Sequence, residues 1–173
     1  MDLVTSIEDI EHLSEERREE NIRFRAYLKG HLSWSDEKLD TVVHEIARSV
    51  SAEIDCTACA NCCRTMRIGL EPEDIARLAD HLGISAEQFE SRYIADEGRE
   101  GKELKQIPCP FLDGRLCAVY EDRPEACREF PRLDKEDTLS RSMGLIENAY
   151  VCPIVFNTLE LLKSRLDWAL YRY

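Results

Sequence analysis

Four cysteines within eight residues constrain this chain more than any other feature of its sequence. The run is Cys56-x2-Cys59-x2-Cys62-Cys63, and four more cysteines follow it, namely Cys109, Cys117, Cys127 and Cys152. Eight cysteines among 173 residues are too sparse for a disulfide scaffold, which is usually shorter and richer than about 8% in cysteine. The N-terminal residues lack the basic start and apolar run of a secretory signal, so we expect a cytoplasmic protein with reduced cysteines. Reduced cysteines at such spacing indicate a metal site.

The charge balance narrows the range of partners. Asp and Glu number 35 against 23 Lys and Arg, which gives a net charge of −12. Nonspecific binding to nucleic acid or to an anionic membrane needs an excess of cations, so this balance argues against both. The longest apolar stretch, residues 150–156, is far shorter than the ~20 residues that span a bilayer. The expected partners are a metal ion or cluster and possibly another protein, with no nucleic acid and no membrane.

Two kinds of metal centre fit the cysteine run. Zinc at about 2.3 Å from each sulfur needs sulfurs that a tight x2 turn can bring together. The same run matches the C-x2-C-x2-C opening of bacterial ferredoxins, which hold [4Fe–4S] clusters, although Met66 stands where their next cysteine would be. In an extended chain Cys62 and Cys63 would face opposite sides and serve two ions. Two sites of four cysteines, and one such site with spare cysteines, both remain open.

Two arginines directly follow cysteines of this set. Arg64 follows Cys63 and Arg128 follows Cys127. A site of several thiolates needs nearby positive charge and N–H donors, so we predict that both arginines contribute to cofactor binding. The alternatives are ordinary surface ion pairs for the arginines and, for the cysteines, roles as small core residues, above all for Cys152. Structural disulfides, including a bridge between Cys62 and Cys63, are a further alternative.

Hydrophobic periodicity predicts a mostly helical chain. The expected helices cover residues 7–28, 35–50, 72–82, 85–94 and 153–172, and a short helical turn follows Pro124. Residues 56–65 are expected to form a loop, Asp113-Gly114 a hairpin turn, and residues 132–148 a polar, weakly patterned linker. Ser35 and Ser85 are predicted N-caps, and Gly83 a C-terminal stop.

These elements predict a mostly α (α+β) fold, a single helical domain with a small β-hairpin built around a cysteine-ligated metal centre. Within one compact domain we expect an N-terminal helical segment (1–55), a cysteine-cluster metal-binding core (56–131), and a polar linker with a C-terminal helix (132–173). The cysteine segments contain few apolar residues, so folding is expected to depend on the metal.

The order of these residues resembles the CxxCxxCC cysteine-cluster family, also called YkgJ-like. The matching residues are Cys56, Cys59, Cys62, Cys63, Arg64, the segment Cys109-Pro110-Phe111-Leu112, Cys117, Tyr120, Arg123-Pro124, Cys127-Arg128 and Pro131. Ala60 and Phe130 depart from the glycine and tyrosine usual in the family. The resemblance covers about residues 56–131 and implies a zinc- or iron-chelating domain. Ala60 must then tolerate the backbone angle that a glycine would allow.

We therefore expect a metal-binding cysteine-cluster protein, with an iron–sulfur cluster in a redox or structural role favoured over zinc. The ferredoxin-like spacing and the absence of histidine from the cluster favour iron. A zinc-binding structural or adaptor protein and a metal-dependent protein-modifying enzyme are the alternatives, so the sequence does not decide whether the chain is an enzyme.

Overall fold

Helices dominate the computed structural model, which describes residues 2–95 and 101–168. The helices are α1 (Ile7–Glu16), α2 (Arg18–Gly30), α3 (Asp36–Glu53), α4 (Cys56–Cys59), α5 (Asn61–Thr65), α6 (Pro72–Leu82), α7 (Ala86–Tyr93), α8 (Glu125–Glu129), α9 (Thr138–Ala149) and α10 (Pro153–Arg165). The strands are β1 (Gly69–Leu70), β2 (Lys102–Glu103), β3 (Leu112–Asp113) and β4 (Leu116–Cys117). The predicted fold class, mostly helical with small β elements, is confirmed. Among the described helices, none is long and apolar enough to cross a membrane.

The described residues form two compact units. Residues 2–56 and 131–168 make up one, which we call the helical unit, and residues 57–95 and 101–130 make up the other, which we call the cysteine unit.

In the helical unit, α10 lies at the centre of the helix packing. It contacts α1, α3 and α9, and every residue from Pro153 to Leu159 is buried. The N-terminal half of α10 is therefore covered on all sides, and its position is set by neighbouring helices on several sides. The structure ends this helix at Arg165, whereas the sequence predicted it to residue 172, and residues 169–172 lie outside the described part of the chain.

The expected linker at 132–148 is wrong, because residues 138–149 form α9. The helix begins after Asp137, whose φ of 60° is left-handed and whose side chain makes no capping bond. Asp40, on α3, supplies the cap instead: its carboxylate accepts from the amides of Asp137 at 3.0 Å and Thr138 at 2.9 Å. A cap that comes from almost a hundred residues away leaves no local signal, so the sequence did not reveal the start of this helix.

In the cysteine unit, α6 and α7 follow the sequence closely. Ser85 accepts from the Gln88 amide and Gln88 reaches back to the Ser85 amide, which confirms the predicted capping box. Gly83 ends α6 at a φ of 65°, as predicted for a left-handed C-terminal stop.

Two small antiparallel pairs of strands accompany these helices. Strand β1 pairs with β2, a pairing that the sequence did not predict, and β3 pairs with β4. The predicted hairpin is confirmed, but Asp113 pairs with Leu116, so the two turn residues are Gly114 and Arg115 rather than Asp113 and Gly114. Residues of the helices and of the strand region share one apolar core: Leu70, Ile75, Leu78, Ala79, Phe89, Ile94, Leu104, Phe111 and Val119.

Candidate metal centre

The first cysteine segment is helical rather than an open loop. It consists of α4 and α5, separated by Ala60 at φ 52° and ψ 19°. The left-handed backbone that the family resemblance implied at this position is therefore present, and it is occupied by an alanine that is 6% exposed. The reversal at Ala60 lets two very short helices follow each other without forming one continuous helix.

The helical backbone of α5 changes the expected roles of Cys62 and Cys63. The prediction that they face opposite sides assumed an extended chain, but neighbours on a helix are only about 100° apart. Their side chains are within hydrogen-bonding reach of each other. The structure therefore contradicts the reason for assigning the two thiols to separate ions.

The hairpin brings two further cysteines to this segment. The amide of Cys109 donates to the carbonyl of Cys63 at 2.8 Å, and Cys117, on β4, pairs with Leu112. Both thiol-bearing residues pack against the apolar core of the cysteine unit. Backbone pairing and core packing thus fix where the chain carries these two sulfurs.

Cys127 lies on α8, a helix of five residues. Its amide donates to the carbonyl of Pro124 at 2.9 Å, and the amide of Glu125, the first residue of the helix, donates to the Asp74 carboxylate at 3.0 Å. The helical turn predicted after Pro124 is confirmed.

Four of these thiols share one electrostatic environment. Burial is the largest of the effects that raise the pKa of Cys127 to about 12, and the charges of Cys63, Cys109, Cys117 and Asp74 act in the same direction. Burial likewise raises the pKa of Cys109 and of Cys117, and in both cases the charge on Cys63 acts in the same direction. The charge of Cys63 therefore reaches the other three thiols, and a bound cation would relieve that repulsion.

Cys63 shifts in the opposite direction. Its hydrogen bond with the Cys62 side chain lowers its pKa to about 6; burial opposes this, while the nearby Arg64 charge contributes to the lowering. A cysteine with a lowered pKa is largely a thiolate at neutral pH, and the thiolate is the form that binds a metal.

The two predicted cofactor-binding arginines donate to backbone carbonyls. Arg64 reaches Cys59 at 2.7 Å and Gly114 at 3.0 Å, so it joins the first cysteine segment to the hairpin turn. Arg128 donates to the carbonyls of Arg123, at 3.1 Å, and Glu121. Both therefore support the loops that carry cysteines, and the charge of Arg64 also lowers the pKa of Cys63.

The remaining cysteines are placed differently. Cys59 belongs to the cysteine unit and its carbonyl is held by Arg64. Cys56, which is exposed, and Cys152, which is 6% exposed at the start of α10, belong to the helical unit. No disulfide joins any of the eight cysteines in the structure, all of which lie in its described part.

The donor set fits a metal by its chemistry. Across residues 2–95 and 101–168, no three Cys, His, Asp or Glu side chains already lie in a metal-holding arrangement. Thiols from three separated segments lie within the electrostatic reach of Cys63, and an all-sulfur donor set suits zinc and iron–sulfur clusters alike.

Comparison with known proteins agrees with this chemistry. The model of the CxxCxxCC family, described as "Putative zinc- or iron-chelating domain", matches residues 55–152, more than half of the chain. The protein therefore belongs to this family of cysteine-cluster domains. No solved protein structure matches it.

Proposed function

We propose that the cysteine unit binds a metal centre through Cys63, Cys109, Cys117 and Cys127, with an iron–sulfur cluster as the preferred occupant and zinc as the alternative. The observation that carries this proposal is the hydrogen bond of 2.8 Å from the Cys109 amide to the Cys63 carbonyl, which joins the hairpin to α5. The charge of Cys63 also raises the pKa of Cys109, of Cys117 and of Cys127 on α8, which supports a shared site. A charged Cys63 thus makes the ionisation of the other three thiols less favourable. A metal cation among the four sulfurs would offset that repulsion.

Two nearby cysteines extend this set. Cys62 is hydrogen-bonded to Cys63, and Cys59 lies one short reversal before it. Either could replace one of the four or complete a cluster that needs a further sulfur. Cys56 and Cys152 belong to the helical unit and are not among the four proposed ligands. The metal content of a Cys152→Ser variant tests whether Cys152 takes part.

The preference for iron comes from the sequence. Cys56-x2-Cys59-x2-Cys62 is the spacing with which ferredoxins begin a cluster site, and it applies to this centre if Cys59 and Cys62 join the four ligands. All of the proposed ligands are sulfurs, with no histidine among them. When bound, such a cluster supplies a one-electron redox couple together with a covalent tie between chain segments, whereas zinc supplies the tie alone.

Metal analysis of the full chain, purified without oxygen, tests the proposal. Iron and inorganic sulfide in matched amounts, with broad visible absorption, would support a cluster. A colourless protein with one or two equivalents of zinc would reject iron but retain the thiolate site. A protein that holds neither metal, and takes up neither after reconstitution, would contradict the proposal altogether.

A further inference from the structure

Three side chains on one face of α6 contact the segment that leads into Cys127. Asp74, Arg77 and His81 are spaced three and four residues apart, so they lie along the same side of the helix. Their contacts fall on residues 122–125: His81 meets the Asp122 carboxylate at 2.7 Å, and the other two contact the backbone of this segment.

Asp74 is the most buried member of this face, at 2% exposed. Its Oδ2 accepts from the amide of Glu71 at 3.1 Å, which forms part of the N-terminal cap of α6. Its Oδ1 accepts from Arg77 Nη2 at 2.5 Å and from the amide of Glu125 at 3.0 Å. One carboxylate therefore joins the start of α6 to the start of α8.

Arg77 holds the adjoining backbone. Its Nε donates to the carbonyl of Asp122 at 3.2 Å, and its Nη2 donates to the carbonyl of Arg123 at 3.0 Å. The planar guanidinium can serve these acceptors and Asp74 together, because its five N–H groups have fixed directions. The segment before Pro124 is thus tied to α6 at successive residues.

A helix as short as α8 needs such outside support. Five residues are too few for a helix to be stable alone in water, and no side chain of its own N-terminal residue caps it. Asp74 supplies that cap two residues before Cys127. Because both Asp74 oxygens already accept hydrogen bonds from amides or from Arg77, it is poorly placed to be a ligand itself.

We propose that Asp74 and Arg77 are positioning residues for the metal centre, which hold α8 so that the Cys127 sulfur can bind together with the other thiols. This inference rests on the proposed function, since Cys127 needs positioning only if it is a ligand. Outer groups of this kind commonly change metal affinity 10–100-fold when they are replaced.

The test is an anaerobic titration of the full, reduced, metal-free chain with Co(II) as the probe. The intensity of sulfur-to-cobalt charge-transfer absorption reports how many thiolates bind, and competition with a chelator reports the affinity. Asp74→Asn keeps the size of the side chain but turns one acceptor oxygen into an N–H donor that faces another donor. We expect affinity to fall about 10–100-fold and the charge-transfer intensity to fall by about a quarter, because one of four thiolates is no longer held.

Asp80→Asn is the matched control, because it makes the same change on the same helix at an exposed position. It should leave both readouts at their wild-type values. Arg77→Lys provides a second variant should Asp74→Asn fail to fold by circular dichroism, since one ammonium cannot span the acceptors that the guanidinium joins. It should lower both readouts in the same direction.

Two results would overturn the inference. One is wild-type affinity and charge-transfer intensity in the folded variant. The other is lower affinity with full intensity, which a loss of stability without a loss of positioning would produce. If the wild-type chain shows no thiolate charge-transfer band at all, the proposed function itself fails, and the Asp80→Asn control would fail with it.

Discussion

The alanine at position 60 allows the geometry of the first cysteine segment to be tested by a change that touches no sulfur. A side chain with a Cβ pays about 1–2 kcal/mol in the left-handed region, and glycine avoids this cost. Glycine also gains about 0.4–1 kcal/mol of unfolded-state freedom, which offsets part of the benefit. At the φ of 52° seen for Ala60, Ala60→Gly should therefore stabilise the cysteine unit by about 0.5 kcal/mol.

Valine at the same position should act in the opposite direction. A β-branched residue is a marked outlier at positive φ, and the added methyl groups must fit at a site that is 6% exposed. Overpacking of this kind costs about 1–3 kcal/mol, so Ala60→Val should be less stable than the wild type by about 2 kcal/mol or more.

Urea unfolding of the reduced protein with its metal bound measures these differences. With a slope near 2 kcal/mol/M, the glycine variant should raise the midpoint by about 0.25 M. Ala79→Gly is the control, because Ala79 is similarly buried at 3% exposed but lies inside α6, where glycine costs about 1 kcal/mol. If Ala60→Gly destabilises the protein as Ala79→Gly does, the backbone at residue 60 is not left-handed and the description of this segment is wrong.

Three further outcomes follow from the structure. Burial raises the pKa of Asp40, but hydrogen bonds from Thr138 and Asp137 outweigh burial and hold this pKa below its usual value. Asp40→Asn should therefore lower the free energy of unfolding by about 1–3 kcal/mol at neutral pH. The difference in stability from the wild type should disappear only below about pH 4, as the wild-type carboxylate is protonated. Cys127→Ser should abolish or sharply reduce the metal content of anaerobically purified protein, whereas Cys152→Ser should leave it unchanged; equal losses would move Cys152 into the ligand set. Removing the metal with a chelator should reduce amide hydrogen-exchange protection in α5 and α8 while leaving α6 and α7 protected, and uniform loss across the unit would refute that division.

Elements with local signals were predicted well from the sequence. Ser85 and Gln88 carry the complete cap of α7 within four residues, and Gly83 marks the end of α6 by its own backbone preference. The hairpin was found because Gly114 favours the positive φ of 61° that the turn requires. In each case the decisive interaction lies within a few residues, where sequence patterns are informative.

Elements stabilised from a distance were missed. Helix α9 depends on Asp40 for its cap, and the pairing of β1 with β2 joins residues more than thirty positions apart. The candidate site shows the same division. The sequence identified the cysteines by type and spacing. The contact of Asp74 with the start of α8 depends on the tertiary fold, and local spacing could suggest only that Asp74 caps α6.

The apolar core of the cysteine unit reduces the part of its fold that would need a metal for stability. The segment 103–131 was expected to hold few apolar anchors, yet Leu104, Phe111 and Val119 join the core that α6 and α7 begin. Phe111 lies 5.2 Å from Tyr93 and 6.3 Å from Phe89 between ring centroids, so the start of the hairpin is held by aromatic packing as well as by strand pairing.

The two short helices that carry Cys63 and Cys127, α5 and α8, lie outside this core. Neither contributes a residue to the apolar core, and both are too short to persist by backbone hydrogen bonds alone. Their supports are polar: Arg64 for the segment with α5, and Asp74 with Arg77 for α8. A metal that joins their sulfurs to Cys109 and Cys117 on the packed hairpin would therefore anchor the weakest parts of the unit to its strongest part. Metal binding should for this reason order the site locally, and the core of α6 and α7 should fold without it.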